Sequence, residues 1–125
     1  MTKILLVATG GAIGAVSRYL LGRWIQSLVD SEFPYGTLLV NLLGCFLIGV
    51  IMTLVEDRQF FRVEARLFLV TGILGGFTTF SSFGYETMEF LRAGDSRSAL
   101  ANISANVVVG LAIGLAGRAR VRGSG

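Results

Sequence analysis

Thr71-Gly-Ile-Leu-Gly-Gly-Phe-Thr-Thr-Phe-Ser-Ser-Phe-Gly84 lies in the middle of an apolar span, yet it is made of residues that weaken helices. Gly75 and Gly76 each cost a helix roughly 1 kcal/mol relative to alanine. The hydroxyls of Thr78, Thr79, Ser81 and Ser82 bond to local backbone and so compete with the helical ladder. Irregular backbone at membrane depth survives only where protein buries it or where it lines a polar cavity. The stretch therefore predicts a helix broken at the bilayer midplane, beside a site for an ion or polar solute.

The composition around it is that of a membrane protein. The chain has 125 residues, of which 53% are hydrophobic and 15% charged, whereas a soluble domain carries about 25% charged residues. Its mean hydropathy is +0.70. The charges cluster between long apolar runs, and no separate soluble domain fits, so residues 1–125 read as one transmembrane domain. The first apolar run continues past Leu20 without a small-residue cleavage site, which predicts a retained helix and not a signal peptide. With no histidine and one cysteine, Cys45, neither a metal–thiolate site nor an intramolecular disulfide is expected. Arg118, Arg120 and Arg122 predict an anchor at the cytoplasm or the lipid headgroups and not a nucleic-acid patch.

A span needs about 20 mostly apolar residues. Four are expected, over about 4–28, 34–55, 67–92 and 98–116, with the break in the third near 75–79. In the first, Gly10 and Gly14 are four apart, a spacing that lets two backbones approach closely. Arg18 either snorkels to the interface or sets a positive charge at the mouth of an anion pathway. Pro34 suits the first turn of the second span, in which Thr37 and Asn41 share a face. The 56–66 loop is short and carries both signs of charge. In the third span, Leu67 to Gly75 is about nine residues, roughly 14 Å of helix or about half a bilayer. Thr79 or Ser81 then caps a second half-helix. In the fourth span Asn102, Asn106 and Gly110 form a stripe.

An even number of spans puts both termini on one side. That side carries Lys3, Arg58, Arg62 and Arg66 besides the three tail arginines, and the other carries Arg18, Arg23, Arg92 and Arg97. Without the tail the score is four against four, and orientation follows that bias. Insertion both ways is thus allowed. Four short helices also leave little interior in which to hide Asn41, Asn102, Asn106 and Glu86 from lipid. The expected fold is an all-α membrane protein forming an antiparallel, dual-topology homodimer.

The break can serve either sign of ion. Amides at the head of the second half-helix favour an anion, and carbonyls freed at the end of the first favour a small cation. Phe80 and Phe83 share a face there, and the edge of a phenyl ring is positive. Two such edges can contact a poorly dehydrated anion without holding it too tightly for conduction. An intramembrane carboxylate such as Glu86 is functional by default. Glu89, nearer the interface, is more simply solvated.

Gly10-Gly-x-x-Gly-Ala-x-x-Arg-Tyr19, Pro34-x-Gly-Thr-Leu-x-Val-Asn-x-x-Gly44 and Gly72-x-x-Gly-Gly-Phe-Thr-Thr-Phe-Ser-Ser-Phe83 follow one another along the chain. Together they resemble the Fluc (CrcB) family of bacterial fluoride channels, and the resemblance covers essentially the whole chain. It implies an antiparallel homodimer in the bacterial cytoplasmic (inner) membrane, with two fluoride pores each lined by both subunits. By that resemblance Asn41, Phe80, Ser81 and Phe83 match pore residues. Gly75 and Thr78 match a central sodium site made of backbone carbonyls at the dimer two-fold. Arg18, Thr37, Glu86, Asn102 and Asn106 fall where a polar track or vestibule is expected. The implied role is passive export of fluoride, which enters as HF, ionises in the more alkaline cytoplasm and leaves down the membrane potential.

Rival classes remain at this point. Small multidrug exporters are also short four-helix proteins of dual topology, but they resemble one another in a carboxylate within the first helix, and this first span has no acid. A non-transporting membrane subunit is the third class. An enzyme is not expected, because no nucleophile–base constellation is present.

Overall fold

Backbone polar groups in hydrocarbon must be satisfied within their own segment, and an apolar run between charged ends does this as a helix. The structure, a computed structural model, describes residues 1–58 and 62–123. The middle of the expected 56–66 loop and the last two residues lie outside the described residues. Four helical spans are long and apolar enough to cross a membrane: Thr2–Leu28, Tyr35–Asp57, Val63–Arg92 and Ser96–Gly123.

The first span ends at a clasp. Gln26 Nε2 donates to the carbonyls of Ser31 (3.0 Å) and Phe33 (3.1 Å), and Gln26 Oε1 accepts from Gly36 N (2.9 Å). One side chain thereby shapes the loop and fixes the start of the second span. Pro34 stands just outside that helix and offers its carbonyl to Leu38 N at 3.0 Å. The second span extends to Arg58, past the expected end at residue 55.

The third span changes geometry along its length. It is α-helical over Val63–Arg66, π-helical over Leu67–Leu74 and α-helical again over Gly75–Phe77. Thr78 and Thr79 are extended, with φ/ψ of −82°/155° and −145°/114°. A new α-helix runs over Phe80–Arg92, capped by Thr79, whose hydroxyl accepts from Ser82 N. Of the two candidate caps, Thr79 is the one used.

The turn to the fourth span closes with a Schellman pair. Asp95 N donates to Phe90 O (2.8 Å) and Gly94 N to Leu91 O (3.1 Å). Gly94 has φ +78°, the left-handed position that glycine adopts without strain. Asp95 then caps the fourth span through Ser98 N (3.0 Å). Hydrogen bonds from Ser98, its side chain foremost, hold the Asp95 carboxyl below the usual carboxylate range. The fourth span contains its own π-helical stretch, Ala105–Val109, and continues to Gly123, beyond the expected residue 116.

Two helix pairs carry the packing: the first span lies along the front half of the third, and the second along the fourth. Small residues permit this. A side chain at Gly10 would bring its Cβ to 2.9 Å from Gly72 Cα, and one at Gly14 would meet the backbone of Ile73. At the far end Arg122 Nε pairs with Asp57 (2.9 Å) and Arg118 with Glu56 (3.4 Å). Two of the three tail arginines thus tie the fourth span to the second.

Candidate functional site

An unbroken helix would pair the N–H of Thr79 with the carbonyl of Gly75, and that of Ser82 with Thr78. At the break other acceptors take these donors. Thr79 N donates to Asn41 Oδ1 (2.9 Å), and Ser82 N donates to Thr79 Oγ1 (3.1 Å). The carbonyls of Gly75 and Thr78 are thereby released from the ladder. The intervening carbonyl of Gly76 is held by Arg18 Nε at 3.1 Å, while Leu74 O accepts from both Thr78 N (3.1 Å) and Thr78 Oγ1 (3.2 Å). Of the five carbonyls from Leu74 to Thr78, two are held within this chain, and those of Gly75, Phe77 and Thr78 have no hydrogen-bond donor among the described residues.

Asn41 completes the clasp, since its Nδ2 donates to Thr79 O at 3.2 Å. One carboxamide from the second span thus satisfies both backbone groups of the residue that starts the second half-helix. Its other N–H goes to Asn106 Oδ1 (3.0 Å). Asn106 Nδ2 donates to Asn102 O (2.9 Å) and Asn102 Oδ1 (3.1 Å). Asn102 Nδ2 donates to Thr87 Oγ1 (3.0 Å), and Thr87 Oγ1 donates to Phe83 O (2.8 Å). The circuit starts and ends on the second half-helix and passes through the second and fourth spans. Asn102 is only 1% exposed, and burying such an amide without partners would cost about 1–3 kcal/mol.

A recess of about 390 Å³ opens over the break, and Asn41, Gly75, Thr78, Phe80, Phe83 and Asn106 line it. The Phe80 and Phe83 rings lie with centroids 5.4 Å apart and planes tilted by 57°. Phe83 is buried and Phe80 is 81% exposed. The Cβ position of Gly75 meets only Val70 O, at 3.6 Å, whereas a Cβ on Gly76 would lie 2.5 Å from Gly11 O. Adjacent glycines therefore serve different neighbours, one the recess and one the first span.

A second recess, of about 660 Å³, lies at the end of the molecule that carries the 29–34 loop and the 93–95 turn, and it includes Thr37 and Glu86. Thr37 Oγ1 donates to Glu86 Oε2 at 2.9 Å. Glu86 Oε1 is buried without a hydrogen-bond partner among the described residues. Thr37 and Asn41 are one helical turn apart, about 5.4 Å along the axis, so the two recesses follow each other along the second span.

Three expected site residues line neither recess. Arg18 lines neither recess and binds the end of the front half-helix. Ser81 is exposed beside the cap, with its hydroxyl 3.3 Å from Thr79 Oγ1. Asn102 sits behind Asn106 and not at the recess wall. Thr87 escaped the sequence reading. Its one signal is a hydroxyl four residues after Phe83, on the face of the half-helix that packs inward. Among the described residues no cluster of three or more His, Cys, Asp or Glu is placed to hold a metal, so any cation at the break would rely on carbonyl and hydroxyl oxygens.

Residues 5–118 match the family described as CrcB-like protein, Camphor Resistance (CrcB). A protein of Agrobacterium fabrum named fluoride-specific ion channel FluC is 50% identical over 119 residues, which is 95% of either chain. Proteins of the same name from Rhizobium johnstonii and Dehalococcoides mccartyi are 45% identical over 122 residues and 48% identical over 111. These alignments cover 98% of both chains in the first case, and 89% of this chain and 85% of the relative in the second.

Proposed function

Because the chain belongs to the CrcB family, we propose that this multi-pass membrane protein is a passive fluoride-selective channel and not an enzyme. The observation that carries the reading is the meeting of Asn41, Phe80 and Phe83 at one recess over a broken helix, in a chain 50% identical to a protein named for fluoride. Fluoride passes from the Thr37–Glu86 vestibule to the Asn41–Phe83 level, contacted by amide hydrogens and phenyl edges instead of a fixed charge. Its direction is export from the cytoplasm across the inner membrane, which confers fluoride resistance.

The finer features of the proposal concern assembly. Phe80, 81% exposed in the protomer, is covered by a second, antiparallel copy, and each of the two pores is lined by both subunits. The released carbonyls of Gly75 and Thr78 bind a structural sodium ion on the two-fold, two from each subunit. The donor set fits a hard cation, which takes oxygen ligands. It also fits the division of labour at the break, where Arg18 and Thr78 occupy the carbonyls of Gly76 and Leu74.

Fluoride efflux from proteoliposomes, with chloride as control, tests the reading. Fluoride is expected to leave rapidly down an imposed potential and chloride to stay. Phe80→Ile and Phe83→Ile should each slow fluoride while the dimer still assembles. No fluoride efflux, or equal chloride efflux, would sink the channel assignment. Normal flux in both variants would remove the phenyl edges from it.

A further inference from the structure

Asn41 has four positions for hydrogen bonding in the plane of its carboxamide, and three of them, both N–H donors included, are taken. Oδ1 accepts from Thr79 N, and the two Nδ2 hydrogens go to Thr79 O and Asn106 Oδ1. An anion entering the recess meets no spare Asn41 N–H, so it must displace an acceptor. Two of the three bonds belong to Thr79 backbone at the break. The third is made by a side chain on another span, and that side chain lines the same recess. Asn106 is also held in place from behind, because Asn102 O and Oδ1 take its own Nδ2 hydrogens. Its carbonyl oxygen is thereby presented to Asn41. The residue lies in the π-helical stretch Ala105–Val109, a widened turn of the sort found at functional sites.

Resting on the fluoride-channel reading, we infer that Asn106 Oδ1 is an internal competitor for the Asn41 N–H that a permeating fluoride uses, which makes Asn106 the residue that sets fluoride residence there. A hydrogen bond to an ion is about twice as strong as a neutral one, so fluoride wins the exchange. It wins by less than it would against an unoccupied donor. The amide–amide bond re-forms behind the departing ion, which keeps the site weak enough to be left. No covalent step is involved.

Removing the competitor should tighten the site. With a neutral hydrogen bond worth a net ~1 kcal/mol, Asn106→Leu and Asn106→Ala are expected to lower half-saturating fluoride by about three- to ten-fold in planar-bilayer recordings of the reconstituted full chain. Leucine keeps nearly the volume of asparagine, and alanine serves if leucine does not pack. A second readout uses the wild type. In side-chain amide NMR, fluoride should move the Asn41 proton that faces Asn106 and leave the one that faces Thr79 O. If fluoride conducts through the wild type but the folded variants saturate at the same or higher concentration, the competitor role is wrong while the channel stands. A wild type with fluoride current whose two Asn41 protons move together, or not at all, has the same meaning. A wild type without fluoride current overturns both.

Discussion

Asn41 does the work of two backbone groups. In a continuous helix Thr79 would find its partners four residues away on either side, and at the break it finds them on one side chain of another span. Asparagine can do this because it carries a donor and an acceptor side by side. Aspartate would keep the Thr79 N–H bond but has no hydrogen for Thr79 O or Asn106 Oδ1. Thr87 closes the circuit at its other end with equal economy. Its only hydrogen goes to Phe83 O, so its oxygen is left to accept from Asn102. Thr87→Val keeps the shape and leaves Asn102 Nδ2 without that acceptor. Thermal unfolding in detergent should show a loss of about 1–3 kcal/mol, and Thr87→Ser should recover most of it. A Val variant as stable as the parent would mean that the buried amide finds another partner.

The elements divide into those that composition dictates and those that packing dictates. The four spans are legible in the sequence because apolar length alone distinguishes them. Gly75, Gly76 and the four hydroxyls likewise mark where a helix is weak. The choice of Thr79 over Ser81 as cap is not legible, since both have the right side chain. The choice follows from Asn41, which holds Thr79 extended. The π-helical stretches Leu67–Leu74 and Ala105–Val109 leave no local mark either, because their residues would suit an α-helix equally well. Arg18 was readable as a charge inside a span, but its partner, Gly76 O, is 58 residues away. The fourth span offers an element whose cap depends on pH. Asp95 has a lowered pKa in the folded chain, so its contribution is present above the unfolded value, about 3.9, and is lost as pH falls through the folded value. Amide exchange at Ser98, measured against its intrinsic rate, should show protection that drops only in acid. Asp95→Asn, which caps without a charge, should abolish that pH dependence, and protection unaffected by acid in the parent would contradict the cap.

Over the whole molecule, the cations near the span ends are close to balanced once the three tail arginines are set aside. Lys3, Arg58, Arg62 and Arg66 stand at one end of the spans and Arg23, Arg92 and Arg97 at the other, with Arg18 drawn in to Gly76 O at the break. Arg118 and Arg122 have carboxylate partners at the end of the second span, although exposed pairs of this kind are worth only about 0.2–1 kcal/mol each. If the working unit is an antiparallel dimer, a small bias should abolish it. Ser27→Lys with Asp30→Lys adds two cations on one side and should drive insertion to a single orientation, detectable with a thiol reagent that cannot cross the membrane and a reporter cysteine in the 93–95 turn. Fluoride efflux should then disappear, and return on co-expression with a chain biased the other way. Full efflux from a singly oriented population would rule out the antiparallel arrangement. The clasp on Thr79 has a mechanical consequence at this scale. If the two halves of the third span were to straighten into one helix, Asn41 would have to surrender both polar groups of Thr79 and keep only its bond to Asn106. The bend is therefore fastened from a second span, by two hydrogen bonds from one carboxamide.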